Sequence, residues 1–562
     1  MSVIVSCARG HNSSTTLMVD GEIVFYLEEE RLSRRKYDGA PLLGLMKVFD
    51  YVDHIDHLVV CHTHRAGPQL DWCGEDAYHG IIRKLAREKF EFQVHNIDVI
   101  HHELHASAAF YNSGFETAAC VVADGAGSFL NLEGCPDTAY EFETIFKAEY
   151  PCDFDTVYKH MGTKAAVGYH EVEDNVFLTE YPGSTKMYEA VTQYCGFPAI
   201  EAGKLMGLAP YGEPNDQLPP FFVDGWGNRN VIIPTYPNAA QINAYRYDIL
   251  NEDIKHHVPN EYTSIQKDLA YKIQEDTCEY MCGLIEKAVE ITDEKNICIS
   301  GGYGLNCVSN YNYWKRFPDL NIYCEPISHD GGTSIGGAHY IHHKITEDET
   351  IKKRSSVYYG PQYDPAEYEK DLEGLDVSDT TPEEVAKLIK EGNIVTIFQG
   401  RSEGGPRALG NRSILYDPTV ADGKDHVNAV KHREWFRPFA CSIKKEKVHE
   451  WFDLAGREET PHMMYAVKCH EGVEEKIPSV IHVDGTCRIQ TVTSEQNPHY
   501  YELIDEFDKL TDVPILFNTS FNLGGQPLVE TIEDAVNTLK TSDLDYLYLP
   551  EIKKLVKIPS EE

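Results

Sequence analysis

The chain has 562 residues, of which 42% are hydrophobic and 11% aromatic, and it carries a net charge of −39 from 51 basic and 90 acidic side chains. This length exceeds what one hydrophobic core supports, so we expect several packing units and no long disordered segment. The negative charge disfavours a nucleic-acid partner unless a local basic groove overrides it. No segment approaches the ~20 apolar residues of a membrane span, and the N-terminus lacks a signal-like apolar stretch. We therefore expect a cytoplasmic protein without membrane contact.

The 15 cysteines are scattered along the chain and form no C-x-x-C pair. The closest two, Cys278 and Cys282, are one helical turn apart, which suits neither a disulfide framework nor a zinc site. We interpret the cysteines as buried free thiols.

The first residues predict three strands, at 3–7, 15–19 and 22–27, and the last two are joined by the hairpin signal Asp20-Gly21. A second, looser copy of this opening begins at Ala118, where an apolar strand leads into the turn Asp124-Gly125. Two such openings predict an internally duplicated α/β domain. The actin-like ATPase fold has this design, with one phosphate-facing hairpin in each half.

A long amphipathic helix is predicted at 263–289, followed by a buried strand at 296–300. The charged and polar stretch at 347–363 indicates a domain boundary, which we place between residues 352 and 353. A capping box at Thr381–Glu384, with proline at the first helical position, then begins a helix, and a strand at 394–398 follows. The chain is thus divided into a domain at 1–352 and a second α/β domain at 353–562.

His101 and His105 are four residues apart, so on a helix both imidazoles project from the same face. This spacing suits a divalent metal if carboxylates arrive from elsewhere in the fold. Asp124 at the second hairpin tip and Asp330 in a glycine-rich loop are the candidates. The four side chains together would hold a metal over the phosphates of a nucleotide, and the alternative is a solvated polar helix start.

Closely spaced glycines follow the predicted strand at 296–300 and recur in two other loops. Glycine allows the backbone to approach a ligand closely, and exposed N–H groups in such turns bind phosphate or ribose. Each loop taken alone is equally compatible with an ordinary turn. The candidate nucleotide-binding residues are Gly301, Gly302, Asn306, Lys204 and Gly331.

The second domain concentrates basic residues beside glycine turns, although the chain as a whole is acidic. Arginine offers a planar fork of donors that matches phosphate oxygens. The pattern indicates a compact oxyanion site, and the alternative is a set of solvated loops with surface ion pairs. The residues concerned are Arg401, Arg407, Arg412, the segment Lys431-His432-Arg433, Arg437 and Arg488, together with the polar segment 518–522 that contains Ser520.

Taken together, these residues resemble the NodU/CmcH family of O-carbamoyltransferases over nearly the whole chain. Many long motifs in the same order make the resemblance specific. It rests on 28–36 (EEERLSRRK), the His101/His105 pair, 203–212 (GKLMGLAPYG), 301–306 (GGYGLN), 405–414 (GPRALGNRSI), 437–440 (RPFA), 482–488 (HVDGTCR) and 518–522 (NTSFN).

The resemblance implies an N-terminal actin-like domain of the ASKHA, TsaD-like type and a C-terminal YrdC-like domain. It implies that carbamoyl phosphate is cleaved to carbamate in the C-terminal domain. Carbamate then reacts with ATP to give carbamoyladenylate in the N-terminal domain, and the carbamoyl group passes to an acceptor hydroxyl.

The resemblance also assigns residues to these steps. His101, His105 and Asp330 match the family's metal ligands, with Asp124 beside them; Fe²⁺ is the expected ion, with Mg²⁺ and Mn²⁺ as alternatives. The carbamoyl-phosphate pocket matches Arg407, Lys431, Arg437, Arg488 and Ser520.

Four residues are candidates for catalysis: His11, Lys36, Arg407 and Arg488. His11, in the first hairpin turn, is the candidate general base for the acceptor hydroxyl, because an unperturbed imidazole titrates near neutral pH. A turn histidine in water is the alternative. Lys36 is expected to neutralise charge on the triphosphate.

Two other functions remain open, a threonylcarbamoyl-type transferase that acts on tRNA and a nucleotide-binding sensor without turnover. Domain order and the GPRALGNRS motif speak against the first, and retention of both sets of site residues speaks against the second. The acceptor is expected to be a small molecule or a hydroxymethylated pyrimidine nucleotide, with DNA that carries such a base ranked second. The oligomeric state stays undetermined.

Overall fold

The computed structural model describes residues 2–61, 80–82, 84, 91–97, 99–132, 135–164, 168, 170–235 and 239–558. The chain folds into two compact units. The first comprises residues 1–29 and 39–355, and the second comprises residues 30–38 and 356–562. A short segment near the N-terminus thus belongs with the C-terminal half of the chain. All fourteen cysteines within the described residues are free thiols, and most are buried.

The first unit opens with a sheet built, within the described residues, from β1 (Val3–Ala8), β2 (Ser14–Val19), β3 (Glu22–Glu28), β4 (His57–Cys61) and β5 (Gln93–Ile97). Their order is β3-β2-β1-β4-β5. β2 pairs antiparallel with both β1 and β3, whereas β4 runs parallel to β1 and to β5. Every residue of β1 is buried, as expected for a central strand covered on both faces.

The second sheet of this unit repeats the pattern. Its core order is β9-β8-β6-β16-β17, with β8 antiparallel to β6 and β9, and β16 parallel to β6 and β17. The predicted α/β class and the predicted duplication of an actin-like half are therefore confirmed. The described strands of this part are β6 (Thr117–Ala123), β7 (Phe129–Leu130), β8 (Ala139–Glu149), β9 (Asp153–Thr163), β10 (His170–Glu173), β11 (Val176–Thr179), the hairpins β12 (Phe222–Val223) with β13 (Trp226–Gly227) and β14 (Ile232–Thr235) with β15 (Ala239–Ile242), then β16 (Asn296–Ser300) and β17 (Asn321–Cys324).

The described helices up to residue 346 are α1 (Glu29–Ser33), α2 (Leu42–Lys47), α3 (His101–Ser113), α4 (Ser184–Tyr194), α5 (Ala202–Leu208), α6 (Asp248–Asp253), α7 (Ser264–Thr292), α8 (Cys307–Arg316) and α9 (Thr333–Thr346). α3 packs on the second sheet, and α9 packs on α3 and on the first sheet. The two helices approach closely because Gly336 faces the backbone of Leu104, where a Cβ would lie 1.9 Å from the carbonyl oxygen.

The predicted long helix is confirmed as α7, and it extends three residues past the expected end. Thr263 caps its first turn, and the side chain of Gln266 reciprocates by accepting the Thr263 N–H. The strand predicted at 296–300 is confirmed as β16.

The second unit contains, within the described residues, one mixed sheet in the order β18-β27-β26-β19-β20-β25-β21-β24-β23-β22. The predicted capping box at Thr381 begins its first long helix. Its strands are β18 (Asp376–Asp379), β19 (Val395–Phe398), β20 (Arg412–Tyr416), β21 (Ala440–Lys444), β22 (Phe452–Asp453), β23 (Ala466–Cys469), β24 (Thr486–Val492), β25 (Ile515–Ser520), β26 (Tyr546–Leu549) and β27 (Lys554–Lys557); its helices are α10 (Pro382–Lys390), α11 (Gly423–Val430), α12 (Val448–Trp451), α13 (Val473–Lys476), α14 (Pro498–Thr511) and α15 (Ile532–Lys540).

Among the described helices, none combines the length and the apolar character that crossing a membrane requires.

Candidate functional site

Two histidines and two aspartates converge in the first unit. His101 and His105 lie on the first turns of α3, and their Nε2 atoms are 3.1 Å apart. Asp124 follows β6, and its carboxylate lies 3.4 Å from His101 Nε2. Asp330, just before α9, lies 3.6 Å from His101 Nε2 and 3.7 Å from His105 Nε2. One ligand atom from each of the four residues falls within 4.8 Å of the others, so the predicted set is brought together.

The sheet explains why Asp124 lies beside a glycine loop. β6 and β16 are parallel neighbours, so the residues after their carboxyl ends meet at one edge of the sheet. Gly301 has φ +85°, and a Cβ there would lie 2.3 Å from the Ala123 carbonyl oxygen. The N–H of Gly302 donates to Asp124 Oδ1 at 3.1 Å. Glycine is therefore required at 301 by the backbone, and the loop orients a carboxylate of the cluster.

The four side chains fit a divalent metal. Burial disfavours the charged imidazole of His101, but hydrogen bonds to Asp124 and Asp330 outweigh burial and raise its pKa to about 10. Positive charge at this point therefore stabilises the carboxylates of Asp124, which is buried, and Asp330, which is partly buried. Among the described residues, His101 Nδ1 is enclosed without a hydrogen-bond partner, while its Nε2 faces the cluster. Two imidazole nitrogens and two carboxylates form a mixed N/O donor set that suits a divalent metal ion.

Residues outside the predicted set hold Asp330 in place. His329 accepts the Gly331 N–H at Nδ1 (3.0 Å), and its Nε2 lies 2.9 Å from Glu28 Oε1. The hydroxyl of Ser14 donates to the Gly331 carbonyl at 2.7 Å. Sequence reasoning missed Glu28 and His329 as supports. The signal was present, because His329 directly precedes Asp330 and Glu28 ends a predicted hairpin.

His11 also reaches this cluster. Its Nε2 lies 3.5 Å from Asp330 Oδ2, its Nδ1 lies 2.7 Å from Asn12 Oδ1, and 46% of its side chain is exposed. An imidazole that is partly open to solvent beside a buried carboxylate can accept a proton from an incoming hydroxyl.

A buried ion pair lies against the turn at Gly125. Lys186 Nζ contacts Glu189 Oε2 at 2.9 Å on α4, and the Lys186 side chain is almost fully buried. Glu189 Oε1 lies 2.4 Å from the point that a Cβ on Gly125 would occupy. Burial raises the pKa of Glu189 despite Lys186. Nothing in the local sequence distinguished this pair from a helix-surface ion pair.

The remaining nucleotide candidates fall into two groups. Gly301, Gly302 and Gly331 border the cluster through the contacts above. Asn306 instead caps α8 by accepting the Ser309 N–H at 3.2 Å, and its amide also bonds Gln274. The last candidate, on α5, pairs with the preceding turn: Lys204 Nζ lies 2.9 Å from Glu201 Oε2.

Lys36 belongs to the short segment that folds with the second unit. Its Nζ lies 2.8 Å from Glu30 Oε1. In the same segment, Arg31 donates to the Gly405 carbonyl at 2.8 Å. The segment 30–38 therefore supports, through Arg31, the loop that precedes Arg407.

The predicted basic residues of the second unit lie on neighbouring elements. Lys431, at the end of α11, donates to the Ser520 carbonyl and to Asn522 Oδ1. Arg488 on β24 is in register with Ala440 of β21, which follows Arg437 closely in the chain. Burial lowers the pKa of Lys431 well below its ordinary value, and nearby Arg433 and Arg437 add to this. The cluster is rich in positive charge and suits an oxyanion.

The loop that carries Arg407 is organised by a carboxylate that sequence reasoning missed. Glu403 is fully buried, and its Oε1 accepts the N–H groups of Leu409 (2.7 Å), Asn411 (2.9 Å) and Arg412 (3.2 Å). One acidic side chain thus accepts hydrogen bonds from several backbone N–H groups and fixes the conformation of the glycine-rich turn.

Comparison with known proteins identifies the family. The model described as carbamoyltransferase N-terminus matches residues 71–339, and the model described as carbamoyltransferase C-terminus matches residues 386–554. Nodulation protein NolNO of Sinorhizobium fredii is 30% identical, over 98% of this chain and 80% of that protein. The chain belongs to the carbamoyltransferase family. This carbamoyltransferase is also 32% identical to nodulation protein NolO of Bradyrhizobium diazoefficiens, over 80% of the chain and 77% of that protein.

Solved structures match this carbamoyltransferase more weakly. Full-length HypF in its phosphate- and nucleotide-bound form gives a TM-score of 0.37 at 11% identity, over 61% of this chain and 56% of HypF. The (R)-2-hydroxyglutaryl-CoA dehydratase component A of Acidaminococcus fermentans gives 0.33 at 11% identity, over 61% of this chain and 99% of that one. Because these TM-scores are low, the fold assignment rests on the strand order described above. The N-terminal family model covers the His/Asp cluster, and the C-terminal model covers the basic cluster.

Proposed function

We propose that this carbamoyltransferase uses ATP and carbamoyl phosphate to carbamoylate an acceptor hydroxyl. The observation that carries the proposal is the convergence of His101, His105, Asp124 and Asp330 beside the Gly301 loop in a chain of this family. A transferase that used carbamoyl phosphate alone would not need a buried metal-ligand set beside a phosphate-binding turn. We assign residues 1–352 to an actin-like, TsaD-like domain for adenylation and transfer, and residues 353–562 to a YrdC-like domain for carbamoyl phosphate.

The reaction begins in the basic cluster. Arg407, Lys431, Arg437, Arg488 and Ser520 hold the phosphate group of carbamoyl phosphate while water releases carbamate and phosphate. Arginine and lysine donors neutralise the dianion, and Arg407 and Arg488 stabilise the charge that develops on the leaving phosphate.

Carbamate then attacks the α-phosphate of ATP, which yields carbamoyladenylate and pyrophosphate. The turns at Gly301, Gly302 and Gly331 border the phosphates, while the N–H groups of Gly302 and Gly331 hold Asp124 and His329 in place. Lys204 and Asn306 are the remaining proposed contacts. His101, His105, Asp124 and Asp330 would hold a divalent ion, for which we favour Fe²⁺ over Mg²⁺ and Mn²⁺, and which would supply positive charge to neutralise the phosphates.

In the last step the acceptor oxygen attacks the carbamoyl carbon and AMP leaves. His11 takes the proton of the hydroxyl, because its imidazole is partly solvent-exposed and lies beside Asp330. We propose a small-molecule hydroxyl or a hydroxymethylated pyrimidine nucleotide as acceptor, with DNA bearing such a base ranked second because of the net charge of −39.

The test follows phosphate, pyrophosphate and AMP with time when the protein is mixed with ATP, a divalent metal and carbamoyl phosphate. We expect pyrophosphate only when carbamoyl phosphate is present. His105→Ala and Arg488→Ala should each lower its rate by roughly a hundredfold or more, as expected for loss of a charged group that acts in the transition state. His95→Ala, on a strand of the first sheet, is the matched histidine control and should keep the rate.

If no turnover occurs without an acceptor, the same measurement is repeated with sugars and hydroxymethyl nucleosides present. If ATP is broken down at the same rate with and without carbamoyl phosphate, both in the absence and in the presence of an acceptor, the proposal is wrong.

A further inference from the structure

The ion pair between Lys186 and Glu189 on α4 lies against the residue that follows Asp124 of the His/Asp cluster. Glu189 Oε1 is 2.4 Å from the point that a Cβ on Gly125 would occupy, and Lys186 Nζ is 3.7 Å from the same point. Consecutive Cα atoms are only ~3.8 Å apart, so Gly125 lies next to the backbone of Asp124. The ion pair therefore borders the site to which we assign the transfer step.

The charges that act on Glu189 belong to the same site. Burial raises the pKa of Glu189 and Lys186 lowers it, and weaker influences come from Asp124, which raises it, and His11, which lowers it. Electrostatic interactions weaken with distance, so both of these side chains lie near the Glu189 carboxylate. An acceptor whose hydroxyl contacts His11 therefore has Glu189 as a neighbour.

The Glu189 carboxylate has one oxygen left for a ligand. Its Oε2 accepts a hydrogen bond from Lys186 Nζ at 2.9 Å, whereas the part of the chain that the structure describes supplies no donor to Oε1. The Lys186 side chain is 2% exposed and that of Glu189 is 14% exposed. A buried ion pair stabilises a protein poorly unless its remaining lone pairs are also satisfied. The pair is thus incomplete as a purely structural feature.

Glu143 on β8, in the same unit, shows how a buried carboxylate with a structural role is satisfied. Its Oε1 accepts the Ser184 N–H at 2.7 Å and the Ser184 hydroxyl at 2.8 Å. Its Oε2 lies 2.7 Å from Nδ1 of His160. Both oxygens of Glu143 are therefore occupied by protein groups, in contrast to Oε1 of Glu189.

The ion pair also restricts which donor suits Oε1. Lys186 already balances the charge of Glu189, so an ammonium group would leave excess positive charge where screening is poor. A neutral N–H donor satisfies the oxygen without adding charge. Glutamate accepts in this way from the amino group of cytosine, whereas uracil presents a carbonyl oxygen at the same ring position.

We propose that Glu189 is a specificity-determining residue, whose Oε1 accepts a hydrogen bond from the amino group of a hydroxymethylcytosine nucleotide while His11 contacts its hydroxyl. This inference rests on the proposed function, because it selects among the acceptors of that reaction. The amino and hydroxymethyl groups are attached to adjacent ring carbons, so one edge of the base presents both. Lys186 is the positioning residue, because its contact with Oε2 holds the carboxylate beside Gly125.

The test compares hydroxymethyl-dCMP with hydroxymethyl-dUMP as acceptors. The full chain is supplied with ATP, carbamoyl phosphate and a divalent metal, and kcat/KM for each carbamoylated product is measured by mass spectrometry. We expect the cytosine acceptor to be preferred roughly tenfold or more, as for a hydrogen bond to a charged group. Glu189→Gln should reduce this preference to roughly twofold or less, because an amide offers either an oxygen or an N–H group.

Glu252→Gln is the matched control. Glu252 on α6 also pairs with a lysine three residues later, since Lys255 Nζ lies 2.6 Å from its Oε1, but both side chains are exposed. This variant should keep the wild-type preference. If Glu189→Gln keeps it as well, Glu189 does not contact the acceptor and the inference is wrong; a raised KM for ATP in that variant would then assign Glu189 to the nucleotide.

The wild-type protein separates failure of this inference from failure of the proposed function. Equal use of both nucleotides, or carbamoylation of sugars but of neither nucleotide, would overturn the role of Glu189 and leave the carbamoylation reaction in place. If no hydroxyl is carbamoylated and no pyrophosphate forms in response to carbamoyl phosphate, the proposed function itself is overturned.

Discussion

Individual histidines away from the His/Asp cluster make the first unit sensitive to acid. The ring of His343 stacks on Tyr111 at 3.9 Å with an interplanar angle of 3°, and its Nδ1–H donates to the Asp348 carbonyl at 2.6 Å. Burial lowers the pKa of His343 to about 4. Burial, with neighbouring His343, holds the pKa of His339 well below its ordinary value. Both rings are therefore neutral in the folded protein at pH 7.

Because these pKa values are lower in the folded than in the unfolded chain, their contribution to stability is complete above pH ~6.5 and is lost as the pH falls towards 4. His343 alone should account for about 2–3 kcal/mol over this window. In His343→Phe the aromatic stack remains but the group no longer titrates. Thermal unfolding at several pH values should show a shallower decline for this variant, after a small loss at pH 7 from the missing hydrogen bond. His54→Phe, an exposed control, should keep the wild-type slope, and equal slopes for all three proteins would contradict the prediction.

At the scale of elements, the backbone requires glycine after β16 but does not require it in α7. Gly301 adopts φ +85° with the Ala123 carbonyl where a Cβ would be, whereas Gly283 lies exposed on α7 with open space around its Cα. Side chains are strained in the first conformation, and alanine is the best helix former in the second.

Gly301→Ala should destabilise the protein by about 2–3 kcal/mol or more, from backbone strain and the clash. It should also weaken metal binding, since the loop that orients Asp124 must move. Gly283→Ala should stabilise the protein by about 0.5–1 kcal/mol and leave metal affinity unchanged. Thermal unfolding and calorimetric titration with Mn²⁺ measure both effects. A Gly301→Ala protein of unaltered stability and metal affinity would show that the loop does not depend on glycine.

The elements that the sequence predicted correctly are those whose signals lie in neighbouring residues. The long helix at 263–289, the capping box at Thr381 and the strand at 296–300 depend on neighbouring residues, and all three are confirmed. The participation of residues 30–38 in the second unit was not foreseen. No local pattern in this charged segment indicates that it folds with residues far later in the chain.

At the scale of the whole molecule, the net charge of −39 sets the response to salt. Self-repulsion among surface carboxylates destabilises the compact state, and salt screens it. Raising NaCl from about 10 mM to about 150 mM shortens the Debye length from ~30 Å to ~8 Å.

We therefore expect the melting temperature at pH 7 to rise over this range and then to level off as screening saturates. Differential scanning calorimetry at a series of NaCl concentrations provides the measurement. A fall in melting temperature would mean that favourable ion pairs outweigh net repulsion.

The sequence by itself determined the α/β class, the duplicated hairpins and the residue types of both clusters. His101, His105, Asp124 and Asp330 could be named because turn glycines and helical spacing mark them locally, and the structure brings their ligand atoms together. Their roles in binding metal and substrate stay predictions.

Only the tertiary structure decided which side chains support or complete these clusters. Lys186 with Glu189 at Gly125 and Glu403 beneath the Arg407 loop carry no distinctive local pattern, and the pairing of Glu28 with His329 joins residues that lie far apart in the chain. Their environment arises from strand register and long-range packing. Burial, and the presence or absence of an opposite charge, are properties of the folded chain, because residues far apart in sequence create them.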